Sequence, residues 1–436
     1  MNTFATHFRR MLIAMVGILC YNAAKAQNVS VFDTSNSEIA SNVVRAIFVD
    51  VHNVKWVGTD KGLCRFNDTT WTVYSAANKI SEGIVNDLAL QHTKYYGDEL
   101  WIATSSGVSV AAFGIDGVTA ATTYTSSAFP MLSDSIVAVA VDTLGTRYFA
   151  SLHGITWFKG NKWGTVTHDS FPESIPSDPI LCLFARNDSL FIGTKGYGMA
   201  HGGVGRLQMK VDGISGASII QGPYCGNLNN AVHAVFIDSK ARQWFGTEGG
   251  LFEHQGQKFK EQGWLRYFSR EEGLCGDTIL AIAESPAHHI WVGTNAGLNV
   301  ITEDTLYRLT IAGGLPSNVI YDIAFDTLGN GWLATANGLA KVKPDFYTEV
   351  KFSTPSVGSM VKAFPNPTQG ILNIQLPAGV NSAQMVLYDM NGRAVLKMNL
   401  SSLKTTIDLS KQLEKGIYFL QIRAQSHVSS QKVLYY

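Results

Sequence analysis

Nine polar residues recur at one position of a repeated unit and could together form a single site. Each lies just after a Gly-Thr pair or its Ala or Ser variant, before a further glycine. They are Asp60, Lys61, Ser105, His153, Lys195, Tyr197, Glu248, Asn295 and Asn337. The position is constant while the residue type varies, which is typical of ligand-contacting loops on a uniform scaffold. The sequence therefore predicts a binding site built from these nine residues.

Two members of this set are carboxylates and raise the question of catalysis. Asp60 and Glu248 could act as the acid pair that glycoside hydrolysis requires, or in a lyase reaction, and His153, His201 or His233 could assist them. Solvated turn residues are the alternative interpretation. The sequence has no GxSxG, Walker or GxGxxG-helix motif and no CxxC or HExxH spacing. We therefore expect no metal and no cofactor, and we favour non-catalytic binding over a hydrolase or lyase.

The elements that must position these residues come from an internal repeat. Its most regular part is an aromatic residue, an apolar residue, Gly or Ala, and Thr or Ser, and successive copies are 41 to 53 residues apart. The copies begin at Trp56, Trp101, Tyr148, Phe191, Trp244, Trp291 and Trp332. An apolar strand precedes each copy and one or two strands follow it. Four short strands in about 45 residues are typical of one blade of a β-propeller.

The repeat predicts an all-β fold, a seven-bladed β-propeller over residues 27–345. Gly or Ala at the third position lets neighbouring sheets approach, so the tryptophans are expected in the core and not on a sugar-binding surface. Only three strands precede Pro344 in the last repeat. Residues 29–33 resemble a fourth strand, and we expect them to complete the last blade and close the ring. An open solenoid is the alternative.

Residues 238–251 carry a pattern known from a protein family. A strand, Asp-x-x-Gly-like turn, Trp, Gly-Thr and Gly-Leu follow one another there, as in two-component regulator propeller repeats. The resemblance covers residues 28 to about 345 and implies the propeller fold and a capacity for ligand binding. The family's propellers usually stand before a histidine kinase. No kinase is present here, so the sensor role does not transfer.

The first 26 residues resemble a secretory signal peptide. Arg9 and Arg10 precede an apolar run over residues 11–21, and an A-x-A site predicts cleavage between Ala26 and Gln27. The run is shorter than the roughly 20 residues that span a bilayer. No later segment is apolar enough to do so. We expect a mature chain without a transmembrane segment.

Composition excludes some function classes. Lys plus Arg and Asp plus Glu both number 34, so the chain lacks the basic excess of a nucleic-acid-binding protein. Four cysteines follow the predicted cleavage site, which is too few for a disulfide framework in an exported protein. Cys182 lies in an apolar strand and is expected in the core. Pairing of Cys225 with Cys275 is left open.

The propeller pattern ends near residue 345, and residues 346–360 are predicted to be a linker. Residues 361–436 contain short alternating strands and predict a small β-sandwich. Ten residues in this module form recognisable motifs: Pro365, Asn366 and Pro367; Tyr388, Asp389, Gly392 and Arg393; Gly416 and Tyr418; and Lys432. Their order resembles the type A C-terminal sorting domain of type IX secretion.

The resemblance implies handling by the type IX secretion machinery, passage through the periplasm and outer membrane, and an origin in Bacteroidota. Release and attachment to surface lipopolysaccharide stay open. The sequence as a whole predicts a secreted or cell-surface binding protein whose ligand is a glycan or a protein. A secreted polysaccharide hydrolase or lyase is the alternative.

Overall fold

The structure is a computed structural model of the chain. It describes residues 28–74, 80, 83–93, 97–114, 117–170, 175, 179–195, 203–210, 213–220, 231–255, 264–302, 305–344, 346, 362–365, 368–376, 382–388, 394–411, 413–424 and 427–435. The chain divides into two compact units, Met1–Glu349 and Val350–Tyr436. The predicted signal peptide with Ala26 and Gln27, and the predicted linker except Phe346, lie outside the described residues.

The described part of the first unit contains seven four-stranded antiparallel sheets. Strand β1 (Val29–Phe32) precedes sheet 1, which contains β2 (Val44–Val49), β3 (Lys55–Thr59), β4 (Gly62–Phe66) and β5 (Trp71–Tyr74). Sheet 2 contains β6 (Val85–Thr93), β7 (Gly97–Thr104), β8 (Gly107–Gly114) and β9 (Gly117–Tyr124). Sheet 3 contains β10 (Ile136–Val141), β11 (Arg147–Ser151), β12 (Gly154–Lys159) and β13 (Lys162–Val166).

The remaining sheets follow in the same order along the chain. Sheet 4 contains β14 (Ile180–Arg186), β15 (Ser189–Thr194), β16 (Val204–Lys210) and β17 (Gly213–Ile220). Sheet 5 contains β18 (Val232–Ile237), β19 (Arg242–Thr247), β20 (Gly250–Gln255) and β21 (Trp264–Phe268). Sheet 6 contains β22 (Ile279–Glu284), β23 (Ile290–Thr294), β24 (Gly297–Ile301) and β25 (Leu306–Leu309), and sheet 7 contains β26 (Ile320–Phe325), β27 (Gly331–Thr335) and β28 (Gly338–Val342) together with β1.

The sheets form a closed ring. Strand β1 pairs antiparallel with β28, with Val29 opposite Val342 and Phe32 opposite Leu339, so sheet 7 combines both ends of the unit. The first strands of consecutive sheets pack side by side, from β2 through β6, β10, β14, β18 and β22 to β26, and β26 packs against β2. The seven first strands therefore surround a central channel, and the ring leaves no sheet without two neighbours.

The tryptophans fill the space between sheets, as the repeat predicted. Trp56 is completely buried, and its indole N–H donates to Asp50 Oδ2 at 2.9 Å. Trp244 donates in the same way to Asp238 Oδ2 at 3.0 Å. The small residue also has the expected role, because a Cβ atom at Gly58 would lie 2.6 Å from Val85 Cγ1 of sheet 2. Glycine there allows sheets 1 and 2 to pack closely.

The second unit has two antiparallel sheets around one apolar core. One contains β29 (Lys362–Phe364), β30 (Ile371–Gln375) and β33 (Lys404–Asp408). The other contains β31 (Ala383–Tyr388), β32 (Ala394–Leu400), β34 (Gly416–Ala424) and β35 (His427–Tyr435), in the order β32-β31-β34-β35. Two 3₁₀ turns complete the described structure, Ile311–Gly313 in the first unit and Leu409–Lys411 in the second.

The sorting motifs lie mainly at strand ends of this second unit. Pro365 follows β29, Tyr388 ends β31, and Gly416 begins β34. The Tyr418 hydroxyl donates to the Glu414 carbonyl at 2.6 Å, and Lys432 lies in β35. Asn366, Pro367, Asp389, Gly392 and Arg393 lie outside the described residues. In the part of the chain that the structure describes, no helix is long and apolar enough to cross a membrane.

Candidate functional site

The described turns between the second and third strands lie at one end of the ring, which we call the mouth; of the turn in sheet 4, the structure describes only Lys195 and Gly203. A threonine or serine shapes each of these turns. Thr59 Oγ1 donates to the Gly62 carbonyl at 2.8 Å and accepts the Lys61 N–H at 3.1 Å. The equivalent hydroxyls are those of Thr104, Ser151, Thr194, Thr247, Thr294 and Thr335. The hydroxyl satisfies the turn's own backbone, which leaves the variable side chains at the tip free to differ.

The mouth is also tied to the connections that enter each first strand. The Asp60 N–H donates to the Val43 carbonyl at 3.2 Å, and the Ser105 N–H donates to the Ile84 carbonyl at 3.0 Å. Equivalent bonds start from Lys195, Glu248, Asn295 and Ala336. These bonds fix the height of the variable residues relative to the first strands, so the turn tips and the channel wall form one continuous surface.

Eight of the nine predicted binding residues are described, and all eight lie at the mouth. Sheet 1 carries Asp60 and Lys61, and sheets 2 to 7 carry Ser105, His153, Lys195, Glu248, Asn295 and Asn337 respectively. Tyr197 lies outside the described residues, as does His201. Asp60 and Glu248 belong to sheets that are separated by sheets 6 and 7 on one side and by sheets 2, 3 and 4 on the other.

Glu248 has a partner within its own sheet. Its Oε1 lies 3.3 Å from Nε2 of His233, the second residue of β18. The His233 side chain is 25% exposed and the Glu248 side chain 51%. The contact between Glu248 and His233 joins a turn tip to the channel wall. Asp60, the other carboxylate of the predicted catalytic pair, belongs to the distant sheet 1.

Sequence reasoning missed most of the channel wall next to the mouth. The second residue of each first strand is partly exposed, whereas the first residue is completely or almost completely buried. The partly exposed residues therefore face the channel; they are Arg45, Asn86, Val137, Leu181, His233, Leu280 and Tyr321. The Arg45 guanidinium carbon lies 5.8 Å from the centre of the Tyr321 ring, and Asn86 Nδ2 donates to the Ile136 carbonyl at 2.8 Å.

Two further acids, Asp87 and Asp322, occupy the next position of their first strands. A β-bulge occurs there in every first strand, and the other five sheets have alanine or cysteine. Asp87 Oδ2 accepts the Val139 N–H of sheet 3 at 2.9 Å, and Asp322 Oδ2 accepts the Ile47 N–H of sheet 1 at 2.8 Å. A carboxylate inside a run of apolar residues was the available sequence signal.

The environment of these two carboxyls disfavours their charged forms. Burial raises the pKa of Asp87 to about 7, and the negative charge of Asp322 raises it further, although the Val139 and Leu88 N–H groups oppose the shift. Burial likewise raises the pKa of Asp322 to about 6. Both side chains keep some exposure to the channel, yet the surrounding protein removes much of their hydration. The channel wall thus holds two acids whose ionisation is unfavourable.

The described cysteines show no sign of nucleophilic chemistry. Burial raises the pKa of Cys182 to about 12 and that of Cys64 to about 11, so both are protonated at neutral pH. Cys182 occupies the same first-strand position as Asp87 and Asp322. Cys275 has no disulfide partner among the described residues, and Cys225 lies outside them, so their pairing stays an open prediction. Among the residues described, no group of three or more His, Cys, Asp or Glu could hold a metal ion.

Comparison with known protein families identifies the second unit. Residues 362–435 match the model described as "Secretion system C-terminal sorting domain". This confirms the sorting domain of type IX secretion that the motifs predicted. The protein is therefore handled by the type IX machinery and is exported to the cell surface or secreted.

Comparison with solved structures identifies the fold of the larger unit. The extracellular domain of BT3049 from B. thetaiotaomicron, provisionally assigned to a hybrid two component system, has a TM-score of 0.58 and 16% identity over 94% of this chain and 57% of its own. PorZ, a surface component of the type IX secretion system of Porphyromonas gingivalis, has a TM-score of 0.52 and 15% identity over 93% of this chain and 61% of its own. Streptogramin B lyase has a TM-score of 0.54 and 13% identity over 73% of this chain and 99% of its own. These similarities confirm the all-β propeller class and, at such low identity, show the fold alone.

One curated relative shares local sequence. Histidine kinase P4 from Formosa agariphila is 32% identical over 117 residues, which are 26% of this chain and 8% of that protein. The chain thus spans a small part of this relative and about three fifths of the first two structures. The relatives agree with the predicted likeness to two-component regulator propellers.

Proposed function

We propose that this exported propeller is a non-catalytic binding protein that holds a glycan or protein ligand at the mouth. The observation that carries the proposal is the arrangement of eight varied polar residues around one end of the channel, seven of them on six two-residue turns and Lys195 directly after β15. The turn backbone is satisfied by its own Thr or Ser hydroxyl, so most of the varied side chains are not needed to hold the turns, although Ser105 Oγ accepts the Ile84 N–H at 3.1 Å and Asn337 Nδ2 donates to the Pro316 carbonyl at 3.4 Å. Side chains that the scaffold does not require are free to be determined by a ligand.

The alternative, a hydrolase or lyase, has less support. A glycosidase needs two carboxyls within about 5 to 10 Å of each other. Asp60 and Glu248 lie on sheets 1 and 5, and Glu248 contacts His233 of its own sheet. Asp87 and Asp322 are closer to one another in the ring, but each is held by two backbone N–H groups. These hydrogen bonds hold both carboxyls in the channel wall instead of leaving them available for contact with a substrate.

The proposal is tested with two variants of the mature exported protein that differ only in the end of the ring they obstruct. Asn337→Trp fills the mouth from the exposed turn of sheet 7. Leu328→Trp places the same side chain on the opposite end of the same sheet, where Leu328 is 74% exposed. Both variants and the unaltered protein are applied to a polysaccharide array. For protein ligands, a photo-crosslinking residue replaces Asn337 or Leu328 in the producing cells.

Binding or crosslinking that disappears with the change at Asn337 and persists with the change at Leu328 is the expected result. The bound polysaccharide should be recovered at its original chain length. Shortened chains or new unsaturated ends would show catalysis, and equal binding by both variants would place the ligand away from the mouth. Either result would overturn the proposal.

A further inference from the structure

The mouth is not equally polar around the ring. The channel-facing residues of the neighbouring sheets 7, 1 and 2 are Tyr321, Arg45 and Asn86, and their neighbours Asp322 and Asp87 are acids. Sheets 3, 4 and 6 present Val137, Leu181 and Leu280 at the same position, followed by Ala138, Cys182 and Ala281. Sheet 5 is intermediate, with His233. We call sheets 7, 1 and 2 the polar arc and sheets 3, 4 and 6 the apolar arc.

The turn tips follow the same division in part. Sheet 1 carries Asp60 and Lys61, and sheets 2 and 7 carry Ser105 and Asn337. In contrast, the turn of sheet 3 in the apolar arc presents Leu152, which is 53% exposed. The polar arc therefore extends from the channel wall onto the rim of the mouth and forms one continuous hydrogen-bonding surface.

Two atoms of sheet 1 have hydrogen-bonding capacity that the protein does not use. Arg45 Nε and Asp60 Oδ1 are both shielded from solvent, and within the described residues neither has a hydrogen-bond partner. One is a donor and the other an acceptor, and they lie on the same sheet at the mouth. A shielded polar group without a hydrogen-bond partner is energetically unfavourable. A ligand that accepts a hydrogen bond from Arg45 Nε and donates one to Asp60 Oδ1 would satisfy both groups.

The chemistry of that group can be deduced from the charges around it. The polar arc combines two cations, Arg45 and Lys61, with the rim carboxylate of Asp60 and with the wall acids Asp87 and Asp322, whose raised pKa values leave them only partly ionised at neutral pH. An anionic ligand would meet the acids, and a cationic ligand would meet Arg45 and Lys61. A neutral hydroxyl avoids both conflicts, because it accepts a hydrogen bond from a guanidinium and donates one to a carboxylate.

The rest of the mouth suits the same class of ligand. A sugar ring has hydroxyls at its edge and C–H groups on its faces. The Tyr321 ring, held against the Arg45 guanidinium, and the apolar arc across the channel provide surfaces for such faces. Asn86 and Asn337 can each donate and accept. The asymmetry of the mouth therefore corresponds to a ligand that is polar at its edge and apolar on its faces.

We propose that the polar arc is the recognition site for an uncharged, hydroxyl-rich glycan, with Arg45 and Asp60 contacting the same sugar unit. This inference rests on the proposed binding function and specifies it, since it selects a glycan over a protein and one side of the mouth over the other. Asp87 and Asp322 line the wall beneath the site.

The test uses the mature full-length protein and isothermal titration with six-sugar probes of three charge types. The neutral probes are cellohexaose, xylohexaose, mannohexaose and maltohexaose, the acidic probe is hexagalacturonic acid, and the basic probe is the glucosamine hexamer. The variants form two matched pairs. Asp60→Asn is matched by Asp188→Asn, and Arg45→Met is matched by Lys162→Met; both controls lie at exposed turns on the end of the ring opposite the mouth.

At least one neutral probe is expected to bind more tightly than both charged probes. Asp60→Asn and Arg45→Met should each weaken it about tenfold or more, since each removes a charge-assisted hydrogen bond. Asp188→Asn and Lys162→Met should change it less than about twofold, as expected for groups outside the contact. The unfolding midpoint of each variant, measured by circular dichroism, shows that the fold is kept. Asp60→Asn is the decisive variant if Arg45→Met unfolds.

Three results would overturn the inference. They are the absence of binding by every neutral probe, stronger binding by a charged probe, and equal loss in both members of a matched pair. Each is distinct from failure of the proposed function. A protein crosslinked at Asn337, or a charged polysaccharide displaced by Asn337→Trp, would keep the mouth as a binding site while removing the neutral glycan.

Discussion

The two ends of the propeller use similar turn residues for different purposes. At the end opposite the mouth, polar side chains bond across neighbouring sheets. Ser239 of sheet 5 donates from N and Oγ to Glu284 of sheet 6 at 2.7 and 2.6 Å, and the Thr327 N–H of sheet 7 donates to Asn53 Oδ1 of sheet 1 at 3.0 Å. At the mouth, the turn tips are tied to the connections that enter the first strands mainly by backbone hydrogen bonds, and the tip side chains vary. The comparison indicates that one end holds the ring together while the other is available for recognition.

The largest expected effect separates a completely buried aspartate from a partly exposed one. Asp238 is completely buried and accepts bonds from the Arg242 side chain at 2.6 Å and from Trp244 Nε1 at 3.0 Å. Asp238→Ala should lower the free energy of unfolding by about 3 to 5 kcal/mol, because it removes a buried carboxylate and leaves the Arg242 Nε–H and the Trp244 indole N–H without their acceptor, with only Glu253 still paired to Arg242. Asp60→Ala should change it by less than about 0.5 kcal/mol. Urea unfolding measures the change in unfolding free energy for both variants. Similar losses of stability would contradict the conclusion that one end holds the ring together while the other is available for recognition.

A smaller effect concerns the acids of the channel wall. The pKa of Asp87 in the folded protein lies near 7, above the unfolded value of 3.8, so the folded state holds its proton more tightly. Stability should therefore fall as pH rises through the folded pKa, by on the order of 2 to 3 kcal/mol for this group between pH 5 and pH 8. Asp87→Asn should flatten that decline and be relatively more stable at pH 8 than at pH 5.

Urea unfolding of Asp87→Asn and the unaltered protein at pH 5 and pH 8 measures this difference. Asp60→Asn is the matched control, since it makes the same change at the rim instead of in the wall. Parallel pH profiles for Asp87→Asn and the unaltered protein would show that the wall carboxyl ionises freely.

The mouth turns themselves offer a sharper comparison within three residues. Thr294 Oγ1 donates to the Gly297 carbonyl at 2.8 Å and accepts the Ala296 N–H at 2.9 Å. Thr294→Val should cost about 1 kcal/mol of unfolding free energy, since both bonds are lost in a buried position. Asn295→Ala, one residue later at the tip, should leave stability within about 0.5 kcal/mol. Thermal unfolding of the two variants tests whether Thr294, which bonds the turn backbone, and Asn295, at the turn tip, have separate roles.

The smallest expected effect lies at the opposite end. Burial acts to raise the pKa of Glu284, but hydrogen bonds from Ser239 and His288 outweigh it and hold the pKa below its usual value. A lowered pKa stabilises the fold above the unfolded value and loses that contribution as pH falls. Ser239→Ala should lower the unfolding free energy by less than about 1 kcal/mol at pH 7 and by almost nothing at pH 3. A loss that grows on acidification would contradict this explanation.

Much of the fold was predictable because the signals are local and repeated. The tryptophans, the small residues beside them and the second glycine recur in seven copies, so an error in one copy is corrected by the others. The strand at residues 29–33 was recognisable because the last repeat lacked one. The sorting motifs are likewise short contiguous segments, and their detection needs no knowledge of distant contacts. The functions of Thr59 and its equivalents were less visible, since their hydroxyls bond to backbone atoms that any residue could provide.

Only the rim of the candidate site, which the turn residues form, could be predicted from the sequence. The turn residues stand out by their position after the Gly-Thr pair, whereas Arg45 and Tyr321 are almost 280 residues apart and show no pattern in common. The hypothesis that Asp60 and Glu248 form a catalytic pair could be stated from residue type alone. The order of the sheets then separates the two residues and pairs Glu248 with His233.

The sequence by itself determined that this protein is exported and built from propeller repeats, because both properties depend on short segments read in order along the chain. Only the tertiary structure decided which residues share a surface. Closure of the ring places sheet 7 beside sheet 1, so Tyr321 meets Arg45 and Asp322 reaches Ile47, and the polar residues of three sheets gather on one side of the channel. That asymmetry arises from a contact between the two ends of the repeat array, which no local pattern can encode.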